Sequence, residues 1–149
     1  MLQFLHTCER LKITKRTGWV DRGVDNAESI GDHMHRMSII ALLVKDQTID
    51  KNRLVKMAVV HDLAEAVVGD LTPHRNPRDT SPLGEYEAAT TKEALLCKDI
   101  DKAFEYEKRT GKKLQEFYDS TKGKFTHPEV IALAQALYIE RQQDLGFET

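Results

Sequence analysis

His61 and Asp62 stand side by side in Ala58-Val59-Val60-His61-Asp62-Leu63-Ala64-Glu65-Ala66-Val67-Val68-Gly69-Asp70, a segment otherwise apolar and helix-forming. An imidazole and a carboxylate buried in such a helix are costly unless something pairs with them. A divalent cation is the natural partner: the two donor types together suit first-row transition ions, and carboxylate also suits magnesium. The dipeptide alone decides little, because with 6 histidines among 149 residues chance supplies about 0.5 His-Asp pairs. Its neighbours carry more weight. His33 lies upstream in Glu28-Ser29-Ile30-Gly31-Asp32-His33-Met34-His35-Arg36-Met37, at the start of another amphipathic helix. Asp101 lies downstream in Lys98-Asp99-Ile100-Asp101-Lys102. His33, His61-Asp62 and Asp101 thus offer metal ligands from separate elements.

Each residue also has a plainer reading. His33 could be a second cap or a hydrogen-bonded core histidine. His35, two residues on, points away from that face and reads as a non-ligand. Asp62 could be a buried hydrogen-bond acceptor, and Asp99 competes with Asp101. Glu65 sits one turn beyond His61, either as a hydrogen-bond partner of the ligands or as a general acid/base. Asp70 could simply follow a helix-ending Gly69. In the loop before His33, Arg16 could grip a phosphate through paired hydrogen bonds or be solvated. Trp19 could offer a flat wall to a nucleoside or fill the core. His6, His74 and His127 have no partners in the pattern and read as surface residues.

The elements that must position these residues read as helices throughout. Leu2, Leu5, Cys8 and Leu11 recur at helical spacing, predicting a first helix to about Lys12. A loop with Gly18, Gly23 and Asp25-Asn26-Ala27-Glu28 follows. Ser29 with Asp32 resembles a capping box, with Asp in the usual Glu position. Met37, Ile40, Leu43 and Val44 share a face of the next helix. Asp50 can cap the helix carrying Leu54, Met57, Ala58 and His61, which Gly69 ends. Residues 71–81, with Pro73 and Pro77, read as a loop, and Pro82 marks a new helix start. Another helical stretch runs through Asp101 to Lys108. The last helix opens at Thr126-His127-Pro128-Glu129 and runs to about Gln143.

Composition excludes several classes. At this length one domain with a real core is expected. A net charge of −2 without a basic face gives no sign of a nucleic-acid polymer as partner. The cluster Lys108-Arg109 with Lys112-Lys113 reads as a solvated helix end. No apolar run reaches membrane-spanning length, and Met1-Leu2-Gln3-Phe4-Leu5 is too short an apolar stretch for a signal peptide. Cys8 and Cys97 read as reduced thiols of a cytoplasmic protein. The helix around Val130, Ile131, Leu133, Ala134 and Leu137 is apolar over more than one stripe, so part of it is expected to need cover.

The order His…His-Asp…Asp resembles the HD-domain metal-dependent phosphohydrolases. The flanking text is similar to one branch, the 5'-deoxynucleotidases and their eukaryotic HD-domain relatives. The matching stretches are Leu11-Lys12 through Arg16-Thr17-Gly18-Trp19-Val20, then Glu28 to His33, then His61-Asp62-Leu63-Ala64-Glu65 with Gly69-Asp70-Leu71-Thr72-Pro73. A further match joins Phe104-Glu105-Tyr106-Glu107 to Leu114-Gln115-Glu116-Phe117-Tyr118-Asp119-Ser120-Thr121. The resemblance implies an all-α single HD domain over 1–149, a helical bundle with a metal site between helices. It implies one divalent ion (Mn, Co, Fe, Zn or Mg) held by His33, His61, Asp62 and Asp101, the last preferred over Asp99 by its Ile-Asp-Lys setting. It further implies hydrolysis of 2'-deoxyribonucleoside 5'-monophosphates, with Glu65 or Asp70 protonating the leaving oxygen, Arg16 and Trp19 at the substrate, and a homodimer. Another HD-type phosphohydrolase, acting on a phosphodiester or a nucleotide polyphosphate, and a catalytically impaired metal-binding scaffold are the alternatives. The match departs near 96–103: Leu95-Leu96 runs almost directly into Cys97-Lys98-Asp99, and Lys102 meets Ala103-Phe104 without the expected apolar turns. That is either a true deletion or an omitted stretch, and a deletion inside a helix would rotate Asp101 by about 100° per residue.

Overall fold

Local capping chemistry sets the helix starts. In the computed structural model, which describes residues 1–70, 86, 88–103 and 114–146, the first helix, α1, spans Leu2–Glu9 and tightens into a 3-10 turn at Arg10–Lys12. A short α2, Thr17–Asp21, occupies part of what the sequence reads as loop. Helix α3, Ile30–Leu43, opens with the expected capping box: the Ser29 hydroxyl accepts from Asp32 N, and the Asp32 carboxylate accepts from Ser29 N. Asp50 caps α4, Lys51–Val60, by accepting from Arg53 N. The remaining helices are α5, Glu65–Val68, α6, Lys92–Ala103, α7, Gln115–Thr121, and α8, Pro128–Asp144.

Two expectations are corrected. The helix carrying the His-Asp pair does not run unbroken to Gly69. It ends at Val60 and is replaced over 61–64 by tight turns, with Leu63 N donating to Val60 O and Glu65 N to Asp62 O. Gly69, at φ 82, then ends α5 in a conformation that only glycine adopts without strain. His127 is not a bystander on the surface: it caps α8, its Nδ1 accepting from Glu129 N while its Nε2 lies 3.3 Å from Asp46 Oδ2. The expected loop over 71–81, the helix start at Pro82, the helical stretch beyond Ala103, His74 and the Lys108–Lys113 cluster lie outside the described residues.

Helices α3 and α4 pack on each other, with α6 against both and α8 against α6. Met37 and Ala41 of α3, Leu54, Met57 and Ala58 of α4, Leu96, Cys97 and Ile100 of α6 and Val130 of α8 form the main core. Each large side chain buried there contributes about 1.5–3 kcal/mol. A second cluster joins Leu11, Ile30, Met34 and Ala66, and a third joins Trp19, Val24, Ala27 and Leu114. The first helix contrasts with these: it buries no residue completely, and Leu2, Phe4 and Leu5 are 69%, 57% and 56% exposed. Among the described residues no strand forms, and no helix is long and apolar enough to cross a membrane.

Candidate metal centre

Three helical elements bring one side chain each to a common point. His33 projects from the first turn of α3, His61 closes α4, and Asp101 lies near the end of α6. One ligand atom from each lies within 4.8 Å of the others. His33 Nε2 is 3.0 Å from Asp101 Oδ1. His61 Nδ1 is 3.0 Å from the Ala58 carbonyl, which can only accept, so this nitrogen carries the proton and Nε2 is the one turned to the cluster. Asp62 stands beside the three, its Oδ2 3.1 Å from His61 Nε2 and 3.9 Å from His33 Nε2. The close approach of Asp62 to His61 does not make a hydrogen bond, and buried His61 Nε2 has no hydrogen-bond partner.

The electrostatics favour added positive charge. Burial opposes a charged His61, but the carboxylate of Asp62 and then that of Asp101 outweigh it and raise the imidazole above its ordinary value. Burial likewise opposes a charged Asp101, yet the hydrogen bond and charge of His33, with Arg16 and His61, hold its carboxyl well below the carboxylate range. Two imidazoles and two carboxylates around a buried, unpartnered nitrogen fit a divalent cation with mixed nitrogen and oxygen donors.

Arg16 stands at the edge of the cluster, its guanidinium 4.0 Å from both Asp62 and Asp101. Its backbone is fixed from two sides. Arg16 N donates to Glu28 O at 3.0 Å, and Ile30 N donates to Thr14 O at 2.9 Å, in an antiparallel bridge that ties this loop to the start of α3. Asp70 holds the next residue: its carboxylate accepts from Thr17 N, and its carbonyl accepts from the Thr17 hydroxyl at 3.1 Å. Trp19 is 1% exposed and packs in the third core cluster, so its ring has no open face in this structure. Glu65 is half-buried, and one of its carboxylate oxygens has no partner. Burial first, then the charges of Asp62 and Asp70, push its carboxyl up to about 9.

The two candidate acids of α6 separate cleanly. Asp101 enters the cluster, whereas Asp99 Oδ2 accepts from Thr126 N, the Thr126 hydroxyl and His127 N at the head of α8. Helix α6 runs unbroken through the stretch that reads as shortened. His35 and His6 are exposed and outside the site.

Two residues without an assigned role in the sequence reading contact the candidate ligands. Tyr86 Oη donates to Asp101 Oδ2 at 3.0 Å, and its ring centroid lies 5.3 Å from that of His61. Burial raises this phenol, so it stays a protonated donor. Buried Glu28 pairs with Arg36 at 2.6 Å and places Oε1 3.8 Å from His33 Nδ1. Glu28 lies in a quoted motif and was legible as a neighbour of His33; Tyr86 carries no spacing signal at all.

The model of the HD domain family matches residues 8–82. The chain is 41% identical to 5'-deoxynucleotidase HDDC2 of Danio rerio, over 98% of this chain and 90% of that one. It is 37% identical to 5'-deoxynucleotidase YGK1 of Saccharomyces cerevisiae, over 95% and 83%. The Danio rerio match spans 180 residues against 149 in this chain, so the relative carries residues with no counterpart here. Among solved structures, a conserved hypothetical protein from Pyrococcus furiosus superposes with a TM-score of 0.72 at 28% identity, covering 96% of this chain and 99% of that one.

Proposed function

The chain belongs to the HD-domain family, and from that membership we infer a metal-dependent 5'-deoxynucleotidase that hydrolyses 2'-deoxyribonucleoside 5'-monophosphates to deoxynucleoside and phosphate. The observation that carries this reading is the convergence of His33, His61 and Asp101 beneath the Arg16 guanidinium, in a chain so similar to deoxynucleotidases. The HD domain implies a divalent metal, and the cluster can hold one. We assign one ion to His33, His61 and Asp101 with Asp62 as a fourth ligand. The donor set suits Mn, Co, Fe or Zn and, less well, Mg. A bound ion supplies Lewis acidity toward a phosphoryl oxygen and makes water more acidic.

The chain's own groups then divide the remaining work. Arg16 offers a fork of donors to the phosphate oxygens as charge builds on them. Glu65, whose carboxyl burial and then the charges of Asp62 and Asp70 push up to about 9 in the metal-free protein, is the group we assign to give a proton to the leaving 5'-oxygen. Asp70 holds Thr17, and through it the Arg16 backbone, so its contribution is to loop position. Trp19 anchors the same loop from the core, and we assign it an indirect part in sugar selection, through the shape of that loop.

Three coarser proposals accompany this reading: a single domain over 1–149, a cytoplasmic location in keeping with free Cys8 and Cys97, and a homodimer in which a second copy covers the apolar face of α1. Phosphate release from dAMP and AMP, with and without added divalent ions, tests the function. Metal-dependent turnover with a clear preference for dAMP is the expected result. Equal efficiency on the two would reduce the assignment to a general HD-type phosphohydrolase, and metal binding without turnover of either would leave a scaffold.

A further inference from the structure

We propose that Tyr86 is a positioning residue that decides which oxygen of Asp101 faces the metal. The inference rests on the reading of His33, His61 and Asp101 as metal ligands. A carboxylate has two equivalent oxygens, and a ligand free to rotate between them holds an ion less tightly than one fixed in place. In this protein the two oxygens of Asp101 have different partners. Oδ2 accepts the Tyr86 hydroxyl at 3.0 Å. Oδ1 lies 3.0 Å from His33 Nε2 and 4.0 Å from the Arg16 guanidinium, on the side where the ligands converge.

Tyr86 is itself held in place. It is 8% exposed and belongs to the main core. Its ring lies against the imidazole of His61, and the Lys98 ammonium stands 5.1 Å from the ring centroid on the other helix that it touches. One side chain therefore supports two ligands from behind, His61 with the ring and Asp101 with the hydroxyl. The separation matters because Tyr86→Phe removes the hydroxyl alone and leaves the ring contacts. Outer partners of metal ligands typically contribute 10–100-fold to metal affinity.

The test is a cycle of wild type, Tyr86→Phe, Asp101→Asn and the double variant, each stripped of metal and titrated with Co2+ by calorimetry and visible absorption. Circular dichroism and Tm confirm folding of each. The hydroxyl's role predicts a Kd weakened about 10–100-fold in Tyr86→Phe, an altered Co2+ absorption band, and recovery of kcat at saturating metal. In the Asp101→Asn background the same change should have no further effect on affinity, because Tyr86 acts through that carboxylate. A Tyr86→Phe protein with wild-type affinity and spectrum overturns the proposal while leaving the metal site intact. An equal loss in both backgrounds also overturns it, since the effect would then be general to the core. A wild-type protein that binds no divalent ion sinks the metal reading itself.

Discussion

At the scale of single residues, Glu65 is the most informative group. As the proposed proton donor it should be separable from metal and substrate binding: Glu65→Gln is expected to lower kcat by about 10²–10⁴-fold with the metal Kd and the KM for dAMP little changed. Its carboxyl also has a consequence for the metal-free protein. The folded state raises it from 4.5 to about 9, so the native chain binds this proton more tightly than the unfolded chain does. The stabilisation is complete below the unfolded value and is lost as pH rises through the folded one. Metal-free wild type should therefore lose Tm between pH 5 and 9, and Glu65→Gln should flatten that decline; parallel melting curves for the two proteins would remove Glu65 from this role. The candidate ligands His33 and His61 were legible from the order His…His-Asp…Asp, with the His-Asp pair breaking an otherwise apolar helical segment. Tyr86 was not, because an aromatic residue near a loop looks the same whether it fills space or donates to a ligand.

At the scale of elements, α6 carries two carboxylates two residues apart with different tasks. They lie about 200° apart around a helix, so one faces the metal cluster and the other the head of α8. Asp99→Ala should leave the orphaned amides of Thr126 and His127 and cost about 1–3 kcal/mol, or roughly 2–4 °C of Tm per kcal/mol, with the metal Kd unchanged. Asp101→Ala should do the reverse, abolishing metal binding in calorimetry with a smaller effect on the metal-free Tm. If both substitutions abolished metal binding, α6 would be a single cooperative support and not a helix with two separable faces. The break after Val60 has a similar logic. Tight i→i+3 turns over 61–64 turn each residue by about 120° instead of about 100°, so the side chains after His61 leave the face that a continuous helix would give them.

At the scale of the whole molecule, the proposed metal and the proposed second copy should both stabilise the fold, because each would bind the native state alone. A divalent ion at about 100 times its Kd contributes about 2.7 kcal/mol. Chelation should therefore lower Tm by several degrees, and readdition should restore it. The exposed apolar residues of α1 are the surface we propose a second copy covers. Light scattering at micromolar concentration should give twice the 17.0 kDa of one chain; Phe4→Glu with Leu5→Glu should shift it toward the single-chain mass with metal affinity retained. A wild-type mass of one chain would remove the dimer.

Features that are local or periodic can be read from the order of residues alone. Ser29 with Asp32 and Asp50 ahead of Lys51 fixed two helix starts through side chains that reach only their own first turn, and Gly69 fixed an end through its backbone freedom. The His…His-Asp…Asp order identified the chemistry because those residue types are costly in apolar helices without a partner. Contacts between residues far apart in the chain needed the fold itself. Asp70 reaches Thr17, Asp99 reaches Thr126, and Tyr86 reaches Asp101. It also placed Trp19 in the core, since a large ring beside a glycine has no sequence signal telling a wall from a filler. Spacing along a helix says which way a side chain turns, and packing between helices says what it meets.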